Sequence, residues 1–377
     1  VKKETSKILF TVYLAIAAAL VVYFISPAGG TWFYLHHIRW VYLLIFSFSL
    51  SSLLTFAVRF LSWKWKILDY PDDRKVHPEP VPVMGGTAVF IAFLAVAVRN
   101  LRFSSELVAI LVAGFVIFIV GLIDDIRGLP AKSRLLAQIL AALILIKGGI
   151  VISVVPHIPL EYTIEVLLTI FWVVGITNAV NFLDGIDGLV GGMAAINSFC
   201  FLVIAVLTGQ MYLGFLTSIL IGVCLGFLPY NFKPASIFLG DSGSTFLGFT
   251  LAGLAVMGTW TMSGRPIVAV CIPVLILGVV IFDMIYITVS RFRNKTVKTI
   301  KEWLEYVGRD HFHHRLLNLG LNEVQTVCLL FAVNLCLGIG AVVLRDAGSL
   351  EAVLLLLQAF IIFCVVVALM LAGRRTS

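Results

Sequence analysis

The sequence predicts an all-α fold: a polytopic transmembrane bundle of about 11–12 spans, forming one domain over residues 1–377. Three observations carry this reading. The residues are 60% hydrophobic and 12% charged, with a mean hydropathy of +1.07, whereas a soluble surface needs about twice that charge. Apolar runs of about 20 residues, the length of a span, recur from end to end. They are continuous rather than alternating, which fits helices and not the strands of a barrel. Finally, placing the N-terminus in the cytoplasm puts 21 of the 27 Lys and Arg on the inner side, all but Arg39, Arg99, Arg102, Lys147, Arg265 and Arg345. That is the positive-inside bias, and it explains most of the formal charge of +7 without a nucleic-acid partner.

Taken in order, Lys2, Lys3 and Lys7 lead into an apolar run from Ile8 to Ile25. We read it as a first span rather than a signal peptide, because no small-x-small cleavage site follows. A second span covers Val41 to Leu61, and a basic, proline-containing loop runs from Trp63 to Pro82. The third span opens at Met84-Gly85-Gly86, and the fourth, Leu107 to Ile123, delivers Asp124 and Asp125 at its end. The fifth covers Leu135 to Ile152 and the sixth ends at Asn178. Leu189–Leu207, Leu213–Leu228, Thr245–Trp260 and Ile267–Val289 supply the next four. A basic and histidine-bearing cytoplasmic loop, 290–323, precedes two final spans. The six cysteines fall inside apolar runs, as packing residues rather than disulfides or metal ligands.

Five segments on the inner side carry unusual polar chemistry. Asp73-Arg74-Lys75-Val-His77 precedes Met84-Gly85-Gly86; its cations suit phosphate oxygens, although a basic loop beside a span is often simply topogenic. Asp124-Asp125, followed by Lys132, sets two repelling carboxylates at a helix C-terminus, where they also oppose the dipole. A divalent cation relieves that repulsion, and Mg²⁺ commonly joins one or two carboxylates to substrate phosphates. Asn178-Ala-Val-Asn181-Phe-Leu-Asp184-Gly-Ile-Asp187-Gly188 places two amides and two acids where an apolar helix ends. If helical, it puts Asp184 and Asp187 on one face; the bland reading is a capped polar turn.

Asn231 and Phe238 lead to Gly240-Asp241-Ser242-Gly243-Ser244, a helix start rich in free N–H groups. There Asp241 is either a metal ligand or a cap for a helix beginning near Ser244. Arg309-Asp-His311-Phe-His313-His314-Arg315 forms a cationic, titratable cluster. Its spacing, with no cysteine, favours phosphate over zinc. Together these segments form the equipment for metal-assisted chemistry on a pyrophosphate beside lipid. A transporter of metal or organic anions is the non-enzyme alternative; its acids should lie near the midplane, not at one face.

The same segments, within Asp69 to Leu316, resemble the polyprenyl-phosphate N-acetylhexosamine-1-phosphate transferases, a superfamily with WecA/TagO and MraY branches. The His-x-His-His form resembles the WecA/TagO branch and departs from the three consecutive histidines of MraY. The resemblance implies transfer of GlcNAc-1-phosphate from UDP-GlcNAc to undecaprenyl phosphate, with UMP leaving. The MraY-type reaction on UDP-MurNAc-pentapeptide is the enzymatic alternative. It further implies a multi-pass protein of the bacterial inner membrane, an active site facing the cytoplasm, and compatibility with a homodimer. Mg²⁺ is the expected cofactor, with Mn²⁺ as substitute. By resemblance Asp124 and Asp125 bind metal and activate the lipid phosphate, and Asp241 is a Mg²⁺ ligand. Asp184 and Asp187 stand near the nucleotide, Asn231 and Phe238 line the uracil pocket, and Lys132 binds nucleotide. His311, His313 and His314 contact the sugar diphosphate. Arg74, Lys75, His77, Asn178, Asn181, Arg309 and Arg315 complete the substrate-binding set.

Overall fold

The computed structural model describes residues 2–26, 29–71, 79–153, 158–260, 265–297, 299, 302 and 312–373, without the side chains of 2–7, 313, 314 and 369–373. Every expected span is helical. The helices are α1 (Lys2–Ile25), the short α2 (Thr31–Leu35), α3 (Arg39–Trp65), α4 (Gly85–Asn100), α5 (Ser105–Arg127), α6 (Ala131–Lys147), α7 (Glu161–Leu183) and α8 (Leu189–Leu207). They continue as α9 (Met211–Asn231), α10 (Gly240–Met257), α11 (Pro266–Ile276), α12 (Gly278–Arg293), α13 (Phe312–Leu317), α14 (Glu323–Leu344) and α15 (Ser349–Gly373). Among the described residues eight helices are long and apolar enough to cross a membrane, or up to nine with α11 and α12 as one bent span. The chain is a multi-pass membrane protein. The expected 11–12 spans are reached only if α4, which is apolar but short, is counted together with α6 and α10, which do not meet that measure.

Helix α10 is the axis of the bundle. Every residue from Ser242 to Ala255 is buried, as expected of a helix packed on all sides. Helices α4, α5, α7 and α8 surround it. Phe246 meets the edges of Phe90 and Phe93 at centroid separations of 5.1 and 5.5 Å. Helices α3 and α9 approach closely through small residues, as membrane helices do. There Ser51 Oγ donates to the Val223 carbonyl at 2.8 Å and Ser52 Oγ to that of Gly226 at 3.2 Å.

Two features depart from the sequence expectation. The tenth span is not one rod: α11 and α12 meet at 81°. Pro273 contributes no N–H to α11, and Gly278 follows the break at Leu277. The bend lets α11 pack on α14 and α15 while α12 turns against α7. Second, the loop after α3 carries a pair of short strands. β1 (Leu68–Asp69) pairs antiparallel with β2 (Val81–Pro82), and the Pro82 carbonyl accepts the Phe238 N–H at 2.8 Å. Cys200, Cys224 and Cys271 are buried packing residues as expected, whereas Cys328, Cys336 and Cys364 lie exposed on α14 and α15.

Candidate active site

The C-terminal ends of α5, α7 and α9 and the N-terminus of α10 converge at one end of the bundle. A new helix leaves its first N–H groups without intrahelical partners, and Leu239, the residue before α10, supplies no side-chain cap. Helix α5 supplies it instead. Asp125 Oδ1 accepts the Asp241 N–H at 2.7 Å and Oδ2 accepts the Ser242 N–H at 3.1 Å. An acid that opposes the dipole of its own helix therefore complements that of another. The approach needs a glycine: a Cβ on Gly121 would lie 2.6 Å from the Ser242 Cα. Asp241 consequently sits inside the first turn of a helix that starts at Gly240, not ahead of one starting near Ser244. Its role as a cap falls to Asp125.

Adjacent Asp124 has different partners. It is 9% exposed, accepts the Leu129 N–H at 2.5 Å and pairs with Arg134 Nη1 at 3.0 Å. Asp241 Oδ1 accepts from Asn181 Nδ2 at 2.6 Å, and that amide also donates to Ser244 Oγ at 2.9 Å. The Asp241 carboxyl further meets that of Asp124. One turn back along α7, Asn178 and the buried Gln138 of α6 exchange hydrogen bonds in both directions, at 2.7 and 3.1 Å.

Helix α7 stops at Leu183, so Asp184 and Asp187 do not share a helical face. Gly185 and Gly188 turn the chain, the latter at φ +78°, and the two acids face different neighbours. Burial, and after it the carboxylates of Asp241, Asp125 and Asp187, push Asp184 from its ordinary 3.8 up to about 8. Asp187 Oδ2 instead accepts the Ala235 N–H at 3.0 Å and lies 3.7 Å from Lys233 Nζ. Asn231 spends both ends of its amide on backbone, accepting from Gly188 at 3.1 Å and donating to Ile237 at 3.0 Å. These bonds hold two loops together. Beside them Asp187, Lys233, Ser236 and Phe238 share a cavity of about 330 Å³ with Arg59 and Trp63 of α3.

The structure thus brings together Asp124, Asp125, Asp184, Asp241, Asn178 and Asn181, with Asp187, Asn231 and Phe238 adjoining. Lys132 is exposed in the first turn of α6. Arg315 is anchored on α12, 3.3 Å from Ser290 Oγ and over the Tyr286 ring at 5.0 Å. The N–H of Phe312, within the histidine segment, donates to buried Asp283 of α12 at 2.8 Å. Arg74, Lys75, His77, Arg309 and His311, and the side chains of His313 and His314, lie outside the described residues. Sequence reasoning missed Arg134, Gln138, Lys233 and Glu323. An arginine one turn inside a helix that follows paired acids was the available signal for Arg134 alone.

Residues 107–259 match the model of glycosyl transferase family 4. The chain is 33% identical over 346 residues to a probable undecaprenyl-phosphate N-acetylglucosaminyl 1-phosphate transferase of Bacillus subtilis (strain 168), covering 90% of this chain and 93% of that protein. A decaprenyl-phosphate N-acetylglucosaminephosphotransferase of Mycobacterium leprae (strain TN) is 32% identical, over 74% and 76% of the two chains. A phospho-N-acetylmuramoyl-pentapeptide-transferase of Limosilactobacillus fermentum is 50% identical, but across 24% of this chain and 28% of its own. Likeness of that extent, running through the helices that build the carboxylate cluster, places the protein: the chain belongs to glycosyl transferase family 4 and is a membrane-embedded transferase.

Proposed function

We propose that the protein transfers GlcNAc-1-phosphate from UDP-GlcNAc to undecaprenyl phosphate, at the cytoplasmic face of a bacterial inner membrane. The product is the lipid-linked diphosphate sugar that starts an envelope glycan. One observation carries the reading: four carboxylates, Asp124, Asp125, Asp184 and Asp241, are packed together at the end of an apolar bundle, where a lipid phosphate and a water-soluble diphosphate can meet. The acids lie at a bundle end and not midway along it, which speaks against a transport path. The near full-length likeness to N-acetylglucosamine transferases, against a partial one to the pentapeptide enzyme, supports the donor.

In the reaction an oxygen of the acceptor phosphate attacks the phosphorus bearing the sugar. The bond from that phosphorus to the bridging oxygen breaks, and UMP carries the electron pair away. The donor set suits a hard divalent cation, since it offers carboxylate and amide oxygens and an excess of buried negative charge. Among the described residues no three His, Cys, Asp or Glu form a ready-made ligand group. Asp124, Asp125 and Asp241 already accept hydrogen bonds, but each carboxylate oxygen has a second lone pair, so these are the residues that would hold Mg²⁺ or Mn²⁺, which would neutralise charge on the donor diphosphate as UMP leaves. Arg134 orients Asp124 and Asn181 orients Asp241, while burial and the neighbouring carboxylates favour the protonated form of Asp184.

Purified protein should release UMP when given both UDP-GlcNAc and undecaprenyl phosphate, and none when either is omitted. Release with UDP-MurNAc-pentapeptide but not with UDP-GlcNAc would overturn the donor assignment. For orientation, cysteines placed at Ser104, the cap of α5, and Ser133, in the first turn of α6, should label from opposite sides of the membrane. Labelling of both from outside would sink the cytoplasmic placement.

A further inference from the structure

At the site end the basic side chains have acidic partners. Arg134 meets Asp124, and Lys233 meets Glu323, the first residue of α14, at 2.7 Å. The opposite end of the bundle holds an acid and a base that do not pair. A cavity of about 950 Å³ lies there between α7 and α11. Glu106 of α5 and Arg265, the residue before α11, both line it. Among the described residues neither of them forms an ion pair. The hydroxyls of Ser104 and Ser105 donate to the Glu106 carboxylate. Arg265 gives Nη1 to the Ala347 carbonyl at 2.9 Å, and a guanidinium has further N–H donors beyond that one. Helix α11 begins beside it with Pro266 in the first turn and no side-chain cap, an end that favours an anion.

Behind this polar rim the walls are apolar, with Trp172, Met257 and Trp260 among them. Water stays in such a space only where several polar groups hold it, so an apolar chain suits the interior. The size is that of a ligand pocket, which typically encloses about 300–1,000 Å³. The cavity also opens sideways. The bend at Leu277 sends α11 toward α14 and α15 while α12 stays on α7. Phe171 of α7 and Val270 of α11 line the cavity and are exposed, as side chains facing lipid are. A chain can therefore enter from the bilayer. The rim then selects the headgroup. Arg265 and the start of α11 suit a phosphate. Glu106 suits an ammonium and repels a second negative charge.

We propose that this cavity is a phospholipid site in the leaflet opposite the carboxylates. One acyl chain fills the space between α7 and α11. A zwitterionic, ammonium-bearing headgroup sits at the rim, its phosphate on Arg265 and its ammonium on Glu106. The chain packs on Met257 and Trp260, at and just beyond the end of α10, whose first turn holds Asp241. The lipid thus steadies the axial helix from its far end and uses none of the residues given a part in the transfer.

The test uses the purified full-length chain, stripped of lipid in detergent. It is titrated with phosphatidylethanolamine, phosphatidylglycerol and undecaprenyl phosphate. Bound lipid is counted by native mass spectrometry, and thermal unfolding is recorded alongside. Wild type should hold one phosphatidylethanolamine and unfold at a higher temperature with it. It should bind phosphatidylglycerol, which has no ammonium, at least about 2-fold more weakly. Arg265→Gln should weaken both phospholipids by about 2–5-fold, the worth of an exposed ion pair. Glu106→Gln should weaken phosphatidylethanolamine alone and bring the two lipids level. Ala269→Trp, which fills the cavity from α11, should lose both the bound lipid and the thermal shift. Should Ala269→Trp fail to fold, the two rim variants decide the question. The proposal is overturned if wild type retains no phospholipid, if it binds the two headgroups equally, or if Ala269→Trp keeps full affinity. Undecaprenyl phosphate that displaces phosphatidylethanolamine from wild type would give the cavity to the acceptor's tail and overturn it too.

Discussion

The two ends of the bundle handle charge in opposite ways. At the far end, where α4 and α6 finish and α11 begins, cations meet backbone carbonyls, and Arg345 pairs with the exposed Asp346. Arg39 donates to Asn100, Arg99 to Ile25, and Arg265 to Ala347 at 2.9 Å. A cavity of about 950 Å³ there is walled by Phe171, Trp172, Met257 and Trp260. At the site end four carboxylates crowd one another, with Arg134 and Asn181 as their side-chain partners. The adjoining cavity is about a third as large. Cavity size therefore does not mark the reactive end. What marks it is a cluster of carboxyls that outnumber their cationic partners and are held rigidly by helix ends.

The largest effect that can break this comparison is at Asp241. Asp241→Asn keeps the size and removes one charge, and turnover per folded, nucleotide-binding molecule should fall at least about 100-fold, as when a strong transition-state contact is lost. Turnover near wild type would leave Asp241 as a structural residue. A chelator should abolish activity, and Mg²⁺ or Mn²⁺ should restore it.

Packing gives the next contrast. Gly121→Ala pushes a methyl into the Ser242 backbone and should cost about 1–3 kcal/mol together with most of the turnover. The same change at Gly175, where an added Cβ meets nothing within 4 Å, should be neutral or stabilise by up to about 1 kcal/mol through helix propensity. Thermal unfolding of the two variants compares them directly, and equal destabilisation would refute the tight α5–α10 approach.

Asp184 adds a pH dependence. Its folded value, about 8, lies above the ordinary 3.8. The folded state therefore binds its proton more tightly, and this contribution is complete below about pH 4 and is lost as pH rises through about 8. In chelator, thermal stability should decline across that window, and Asp184→Asn should flatten the decline; a slope unchanged by the substitution would exclude Asp184 as its source. The smallest effect is expected at the far end, where Arg265→Gln should shift stability by under about 0.5 kcal/mol and leave UMP release intact. A loss of turnover there would erase the distinction between the ends.

Much of the fold was legible because hydropathy is a property of single segments. Each apolar run from Ile8 to the last span became a helix, and the charge bias placed the motif segments at one end. Helix ends were less legible. Asp184 and Asp187 share a face only if α7 continues, and the two glycines stop it. Asp125 was readable as an acid, and the N–H groups near Gly240 as a helix start, but their pairing was not, because it joins residues more than a hundred positions apart. The bend at Leu277 was hidden for a similar reason, since hydropathy does not change across it. Arg134, Gln138, Lys233 and Glu323 each depend on a neighbour from another helix.

The reciprocal bond between Gln138 and Asn178 has an evolutionary consequence. Changing Asn178 to an apolar residue strands the donor and the acceptor of the buried Gln138, at a cost of about 1–3 kcal/mol, whereas changing Gln138 strands the Asn178 oxygen alone, because its Nδ2 also donates to the Val174 carbonyl at 2.8 Å. Replacing both with apolar residues can be nearly neutral, yet every single-substitution route to that state passes through a stranded intermediate. The pair should behave as one inherited unit: relatives either keep both amides or have lost both together, and a chain carrying one alone should show a third polar group brought in from a neighbouring helix.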